Sequence, residues 1–240
     1  MYEKYPELGK KISGLTLGAY LEFGCGGGQF LKYLLEQNQT STSITAVDIN
    51  AKAIEHAKSE LENYNIEFIL QETLPLELMD QQFSTITLTN TLHHLQNKPG
   101  VLAELKRLIQ PDGRIIITEM ISDQLTEPEH VYCLFHGLRA SVDRLNGVYH
   151  DYTYTESEIR NKVMDAGCKI VDHAIVVNSK VVERDTAEIE RIELLLDEMI
   201  EKEKERPEYT SLTKQVEKIK ALLNTHGIKR PRQLYLETVV

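Results

Sequence analysis

Glu22, Gly24, Gly26 and Gly28 stand at alternate positions in the stretch LEFGCGGGQF, residues 21–30. Glycine costs conformational entropy inside a strand or helix, so such a cluster needs a reason. Glycines allow a tight turn and let a ligand touch the backbone, and the first N–H groups of a following helix are free to bind it. The spacing is not the dinucleotide pattern GxGxxG, whose third glycine would fall on Gln29, and no GK[ST] follows to make a phosphate loop. Asp48 ends an apolar run 20 residues after Gly28. A carboxylate fixed there offers two acceptor oxygens, enough for both hydroxyls of a ribose. Further along, His136 and Asp143 are seven residues apart, on one face of a helix, and the turn at Asn146–Gly147 can bring His150 back to them. Tyr149, Asp151, Tyr152 and Tyr154 crowd beside it. A histidine held by a carboxylate accepts a proton near neutral pH. The same His-x6-Asp-x6-His spacing can be read as metal ligands, but nothing else in the pattern demands a metal, and none is expected.

These groups need a scaffold, and the hydrophobic pattern describes one. AYLEF, SITAVDIN, IEFIL, FSTITLTN and RIIITEM read as strands; GQFLKYLLEQN, AKAIEHAKSELEN and KPGVLAELKRLI have helical spacing, the last stopped by QPDG. Such alternation predicts a doubly wound α/β fold, a seven-stranded, mostly parallel sheet with helices on both faces. After Met120 the pattern changes. EPEHVYCLFHGLRASVDRL reads as a helix, and TESEIRNKVMDAG as another, with Thr155 and Glu158 as a capping box. CKIVDHAIVV is a sixth strand and RQLYLETVV the last. Between them lie two charged helical stretches, 185–204 and 209–225, with Leu194, Leu195, Ile200, Val216, Ile219 and Leu222 as apolar faces. The expectation is one domain, 1–240, with helical cap insertions after strands 5 and 6 at about 121–154 and 184–227.

Composition narrows the function classes. A formal net charge of −10 argues against a nucleic-acid-binding protein with a broad basic face. Lys229, Arg230 and Arg232 read as solvated charges near the last strand. Cys25, Cys133 and Cys168 are widely spaced and form no CxxC pair, which fits a reducing, cytoplasmic setting without a disulfide framework. The N-terminus has no apolar signal region and no 18-residue apolar run occurs, so neither secretion nor a membrane partner is expected.

From about Tyr20 to Met120 the chain resembles the class I S-adenosylmethionine-dependent methyltransferases. LEFGCGGG stands at the family's E/D-x-G-x-G-x-G motif and VDIN at its ribose-binding acidic motif; LTNTLHHL and LKRLIQPDGRIIITE resemble the segments around its fourth and fifth strands. The resemblance implies S-adenosyl-L-methionine as cofactor and S-adenosyl-L-homocysteine as product. It implies that Gly24, Gly26 and Gly28 admit the cofactor to the backbone, that Glu22 orients the methionine ammonium, and that Asp48 holds the ribose. Ile49 would pack on adenine, Gln71, Glu72 and Thr73 would border it, Asn90 would offer its carbonyl to the ammonium, and His94 would pack near the sulfonium. Gln71 departs from the acidic residue common there, which puts its side-chain contact in doubt. The short segment before the first strand leaves room only for a small lid.

The family's topology puts the loops after strands four to six on the cofactor side. That nominates His93, Glu119, both insertions, and His136, Asp143, His150 and Tyr149 as catalytic candidates acting on an O, N or C atom of a small molecule. Two other readings stand beside this one. A nicotinamide-dependent oxidoreductase lacks support from the missing GxGxxG. A catalytically silent cofactor-binding scaffold would use the charged helices as a partner surface, and those helices also suit a homodimer contact.

Overall fold

The computed structural model describes residues 2–37, 41–180 and 186–240. They divide into two compact units: a sheet unit of residues 1–119, 157–177 and 233–240, and a helical unit of residues 120–156 and 178–232.

The sheet unit is built on β1 (Gly18–Phe23), β2 (Ser41–Asp48), β3 (Glu67–Leu70), β4 (Phe83–Thr89), β5 (Ile109–Met120), β6 (Lys169–Val176) and β7 (Gln233–Val239), in the order β3-β2-β1-β4-β5-β7-β6. β1 pairs parallel with β2 on one side and β4 on the other, and β6 with β7 antiparallel. The order reverses between β1 and β4, where an open α/β sheet leaves a crevice beyond its carboxyl ends. The glycine turn follows β1, so it opens onto that crevice. α1 (Pro6–Ser13) buries Leu8 and Ile12, and Tyr5 just before it, in a cluster with Phe30, Leu31 and Leu34 of α2 (Gln29–Gln37). α3 (Ala51–Glu60) starts at Asn50, whose side chain accepts the Ala53 N–H, and α4 (Lys98–Leu108) at Asn97, which does the same for Gly100.

The helical unit contains α5 (Glu127–Leu145), α7 (Thr186–Glu201) and α8 (Tyr209–His226); α6 (Glu156–Asp165) lies almost wholly in the sheet unit. α5 opens with a capping box of Thr126 and Glu129. Val131, Leu138 and Val142 of α5 pack with Ile192, Leu196 and Ile200 of α7 and Val216, Ile219 and Leu223 of α8. Lys220 reaches Asp197 at 2.6 Å to link α7 and α8. Glu203 is buried and holds both Asn146, at 2.7 Å, and Arg206.

Three details differ from the sequence reading. QPDG does not separate α4 from the strand. The strand begins at Ile109, which pairs with Phe83, and the register then jumps so that Thr85 faces Arg114, carrying residues 110–113 as an irregularity within β5. Leu194 and Leu195 do not form the apolar face of α7; Leu195 is 38% exposed. In the run Leu194–Leu196 one residue in four returns to the same face, and Ile192, Leu196 and Ile200 take it. Residues 184 and 185, expected at the start of this insertion, lie outside the described residues.

Candidate active site

In the glycine turn, Gly24 (φ +77°), Gly26 (φ +52°) and Gly28 (φ +80°) all have left-handed backbone, which explains why glycine stands at each. A Cβ on Gly24 would sit 2.3 Å from Thr91 Cγ2, so the turn packs against the segment after β4. A Cβ on Gly26 would meet nothing within 4 Å, so this glycine faces open space. Asp48 ends β2 beside it: Oδ2 accepts the Gly26 N–H at 2.7 Å and Oδ1 the Asn50 N–H at 2.8 Å. Each oxygen keeps further lone-pair capacity for a hydroxyl.

Glu22 lies inside β1 and is 1% exposed. Its Oε2 has no hydrogen-bond partner among the described residues. Burial, and then the charge of Asp48, push its carboxyl well above the usual carboxylate range. A buried carboxylate oxygen without a donor is costly unless a ligand supplies one. Two carboxylates around one backbone turn favour a cation. The same burial, with both carboxylates, pushes the Cys25 thiol up and keeps it neutral.

Around this turn the structure sorts the other candidates. Ile49, 67% exposed, offers an apolar surface directly after Asp48. Asn90 holds a left-handed conformation (φ +48°) at the end of β4 and donates from Nδ2 to the Tyr2 hydroxyl at 3.3 Å. Gln71 is committed to its own loop: Nε2 donates to the Thr73 and Pro75 carbonyls and Oε1 accepts the Glu77 N–H. Its amide therefore shapes the loop that carries Glu72 and Thr73, and an adenine contact by this side chain is not what the geometry favours. His94 is exposed and its ring lies tilted by 43° against that of His93, with ring centroids 4.2 Å apart; His93 is buried, with Nδ1 2.8 Å from Glu119 Oε1.

In the helical unit, His136, Asp143 and His150 come together. His150 is the centre: Nδ1 lies 2.6 Å from Asp143 Oδ2 and Nε2 lies 3.1 Å from His136 Nε2. Both histidines are buried. The carboxylate therefore orients His150, and His136 is reached through it. Arg144 donates to the His150 carbonyl at 2.5 Å and fixes the turn that returns this residue to α5. Tyr149 and Tyr154 both donate to Asp151 Oδ2, a second polar knot in the same segment.

The methyltransferase-domain family matches residues 21–117. Residues 21–117 are a methyltransferase domain of the class I S-adenosylmethionine-dependent family. Its cofactor is S-adenosyl-L-methionine. Among named relatives, the demethylmenaquinone methyltransferase of Lactobacillus johnsonii is 28% identical over 112 residues, 45% of each chain. That of Chlamydia trachomatis is 26% identical over 153 residues, 62% of this chain and 67% of the relative. The match to the Lactobacillus relative thus spans less than half of that protein's length. The YcgJ protein of Bacillus subtilis shares the fold with a TM-score of 0.60, at 16% identity over 100% of this chain and 96% of that one. So does a SAM-dependent methyltransferase of Aquifex aeolicus, with a TM-score of 0.54 at 23% identity over 73% and 86%.

The residues fit the cofactor of this methyltransferase domain. Glu22 has an oxygen waiting for a donor, Gly26 leaves room beside the backbone, Asp48 has acceptor capacity, and Ile49 has an apolar surface to cover. The sequence reading missed two contributors. Tyr2 is buried against Phe30, with ring centroids 5.0 Å apart, and Tyr33, at 5.9 Å, and it braces Asn90. Thr91 donates to the Gly24 carbonyl at 3.3 Å. An aromatic second residue before an amphipathic helix was the available signal for Tyr2. Thr91 gave none, because its role depends on β4 lying beside β1. No helix among the described residues is long and apolar enough to cross a membrane.

Proposed function

We propose that this chain transfers the methyl group of S-adenosylmethionine to a hydroxyl, amine or carbon acid of a small-molecule acceptor. The observation that carries the reading is the buried Glu22 oxygen beside a glycine turn with open space at Gly26 and a carboxylate at Asp48. When bound, the cofactor supplies a methyl group already activated by its positively charged sulfur. The protein's part is positioning and proton management. Glu22 and the Asn90 carbonyl would bind the ammonium end, Asp48 would take the ribose hydroxyls, and Ile49 with the loop of Glu72 and Thr73 would border the base. His94 closes the sulfonium end.

The acceptor is handled by the helical unit. Asp143 keeps the proton of His150 on Nδ1, so His150 Nε2 accepts the hydrogen bond from His136 Nε2 and the two imidazoles act as one unit. The proton lost from the acceptor passes to this imidazole pair of His150 and His136, while Tyr149 orients the acceptor's polar edge. With the cofactor bound, the acceptor atom would gain the methyl group and the sulfur would keep the electron pair of the broken carbon–sulfur bond. Relatives named for a quinone substrate support a small molecule as acceptor.

Calorimetry with S-adenosylmethionine and S-adenosylhomocysteine tests the cofactor half. Both should bind, and Asp48→Ala should weaken them by about 1.5–3 kcal/mol for each charge-assisted hydrogen bond lost. An affinity unchanged by that substitution would remove Asp48 from the site. Release of S-adenosylhomocysteine in the presence of candidate small molecules tests the transfer; binding without release from any acceptor would make the chain a cofactor-binding scaffold.

A further inference from the structure

α5 has two faces. One packs on α7 and α8 through Val131, Leu138 and Val142. The other is a stripe at spacings of four, seven and eleven: Tyr132, His136, Arg139 and Asp143. Half of that stripe belongs to the proton-handling cluster. The other half, Tyr132 and Arg139, has no part in it. A third residue joins them from the segment before β7: the Arg230 guanidinium carbon lies 5.3 Å from the centroid of the Tyr132 ring. That segment is fixed to α5 by the Lys229 N–H donating to the Pro128 carbonyl at 3.1 Å.

These two arginines stand out among the described ones. Arg107, Arg114, Arg144, Arg191, Arg206 and Arg232 each hold a carboxylate or a carbonyl oxygen. Arg139 and Arg230 have no ion pair or hydrogen bond among the described residues, although acidic residues outnumber basic ones by ten in the sequence. Arg139 stands two turns on from Tyr132 on the same face of α5, and Arg230 lies over the Tyr132 ring. Burial pushes the Tyr132 hydroxyl up, and the charges of Arg230 and then Arg139 pull it back. Two guanidinium groups and a phenol hydroxyl, all donors, suit an oxyanion. A guanidinium binds carboxylate or phosphate oxygens in pairs.

We propose that Arg139, Arg230 and Tyr132 form an anion subsite, and that the methyl acceptor carries a carboxylate or a phosphate monoester which this subsite anchors. The inference deepens the acceptor-side reading above and depends on it for the word acceptor. The subsite itself stands on the helical unit alone. Tyr132 and Arg139 flank His136 along the α5 stripe, so an anion held by them keeps the rest of the molecule beside His136.

Saturation-transfer NMR on the full chain tests it with benzoate against benzamide, which has nearly the same shape and no charge, and with phenyl phosphate as the second oxyanion. Benzoate or phenyl phosphate should bind and benzamide should not; the stronger of the two names the anion. The double variant Arg139→Gln, Arg230→Gln should weaken that binding by about tenfold or more, the loss of charge-assisted hydrogen bonds. Lys229→Gln, beside the cluster, should leave it unchanged. Equal binding of benzamide, full retention in the double variant, or no binding of either anion overturns the proposal. S-adenosylmethionine binding to the double variant confirms that it folds. Absence of cofactor binding in the wild-type chain would instead overturn the methyltransferase reading, whatever benzoate does.

Discussion

In the sheet unit the polar groups of the site are held by backbone. Asp48 accepts the Gly26 and Asn50 N–H groups, and Glu22 stands within a strand paired on both sides. In the helical unit they are held by each other: Asp143 fixes His150, and His150 meets His136. A backbone-held group survives changes to its neighbours as long as the turn forms. A group held by other side chains depends on each of them. The sheet unit is therefore sensitive to substitutions that alter main-chain conformation, and the helical unit to loss of single functional groups.

The largest effect should come from the glycine turn, where two neighbours separate folding from binding. Gly26→Val places its side chain in open space at φ +52°, so the chain should fold with some strain while calorimetric binding of S-adenosylmethionine disappears. Gly24→Val drives its Cβ into Thr91 at φ +77° and should compromise folding itself, read by thermal unfolding. A Gly26→Val chain that binds the cofactor normally would end the reading of this turn as a ligand cradle.

Next come the side chains of the helical unit. His150→Ala removes the centre of its cluster and should lower turnover by about 10²–10⁴-fold, with cofactor affinity nearly intact because the glycine turn is untouched. His136→Ala should cost less, since the carboxylate remains on His150. Equal losses in both variants, accompanied by lower thermal stability, would show that the histidines serve packing rather than proton transfer.

A third contrast lies within α7. Leu196→Ala empties a fully buried position and should destabilise by about 2–5 kcal/mol in denaturant unfolding. Leu195→Ala, one residue away and 38% exposed, should cost far less. Comparable losses would mean that Leu195 is covered, as it would be if a second copy of the chain sat on α7.

The sheet unit was legible in the sequence because its signals are local. Alternating strands and helices, four residues from Glu22 to Gly28 and a carboxylate at the end of β2 each follow from short-range pattern, and family resemblance ordered them. The helical unit was legible only in part. The period of α5 put His136 and Asp143 on one face, and the turn at Gly147 returned His150. Which histidine receives the carboxylate depends on the path of residues 147–150, which no periodicity describes. The face of α7 was misread for a related reason: three consecutive leucines satisfy several helical phases, and packing against α5 and α8 selects one. For Gln71, whose departure from an acidic residue already put a side-chain contact in doubt, the loop captures the amide through the Thr73 and Pro75 carbonyls.

The smallest effect is the most diagnostic of how the sheet unit trades stability for binding. Burial raises the Glu22 carboxyl above its ordinary value in the folded chain without cofactor. Below the ordinary carboxyl pKa, about 4.3, both folded and unfolded chains hold the proton and Glu22 has no effect on pH dependence. As pH rises from there toward the folded value, the unfolded chain ionises first, so stability falls. Glu22→Gln should therefore be more stable than the wild type at neutral pH, by about 1–3 kcal/mol, and the two should converge below about pH 4. The cofactor's ammonium reverses the balance by pairing with the ionised carboxylate. Binding to the wild type should then release a proton, seen as a calorimetric enthalpy that changes with the ionisation enthalpy of the buffer. The glutamine variant should bind more weakly and show no such dependence. A wild-type enthalpy independent of buffer, or a Glu22→Gln chain less stable than wild type at neutral pH, would mean that Glu22 is already ionised and satisfied in the folded protein, and the sheet unit would then hold no group in waiting for a cation.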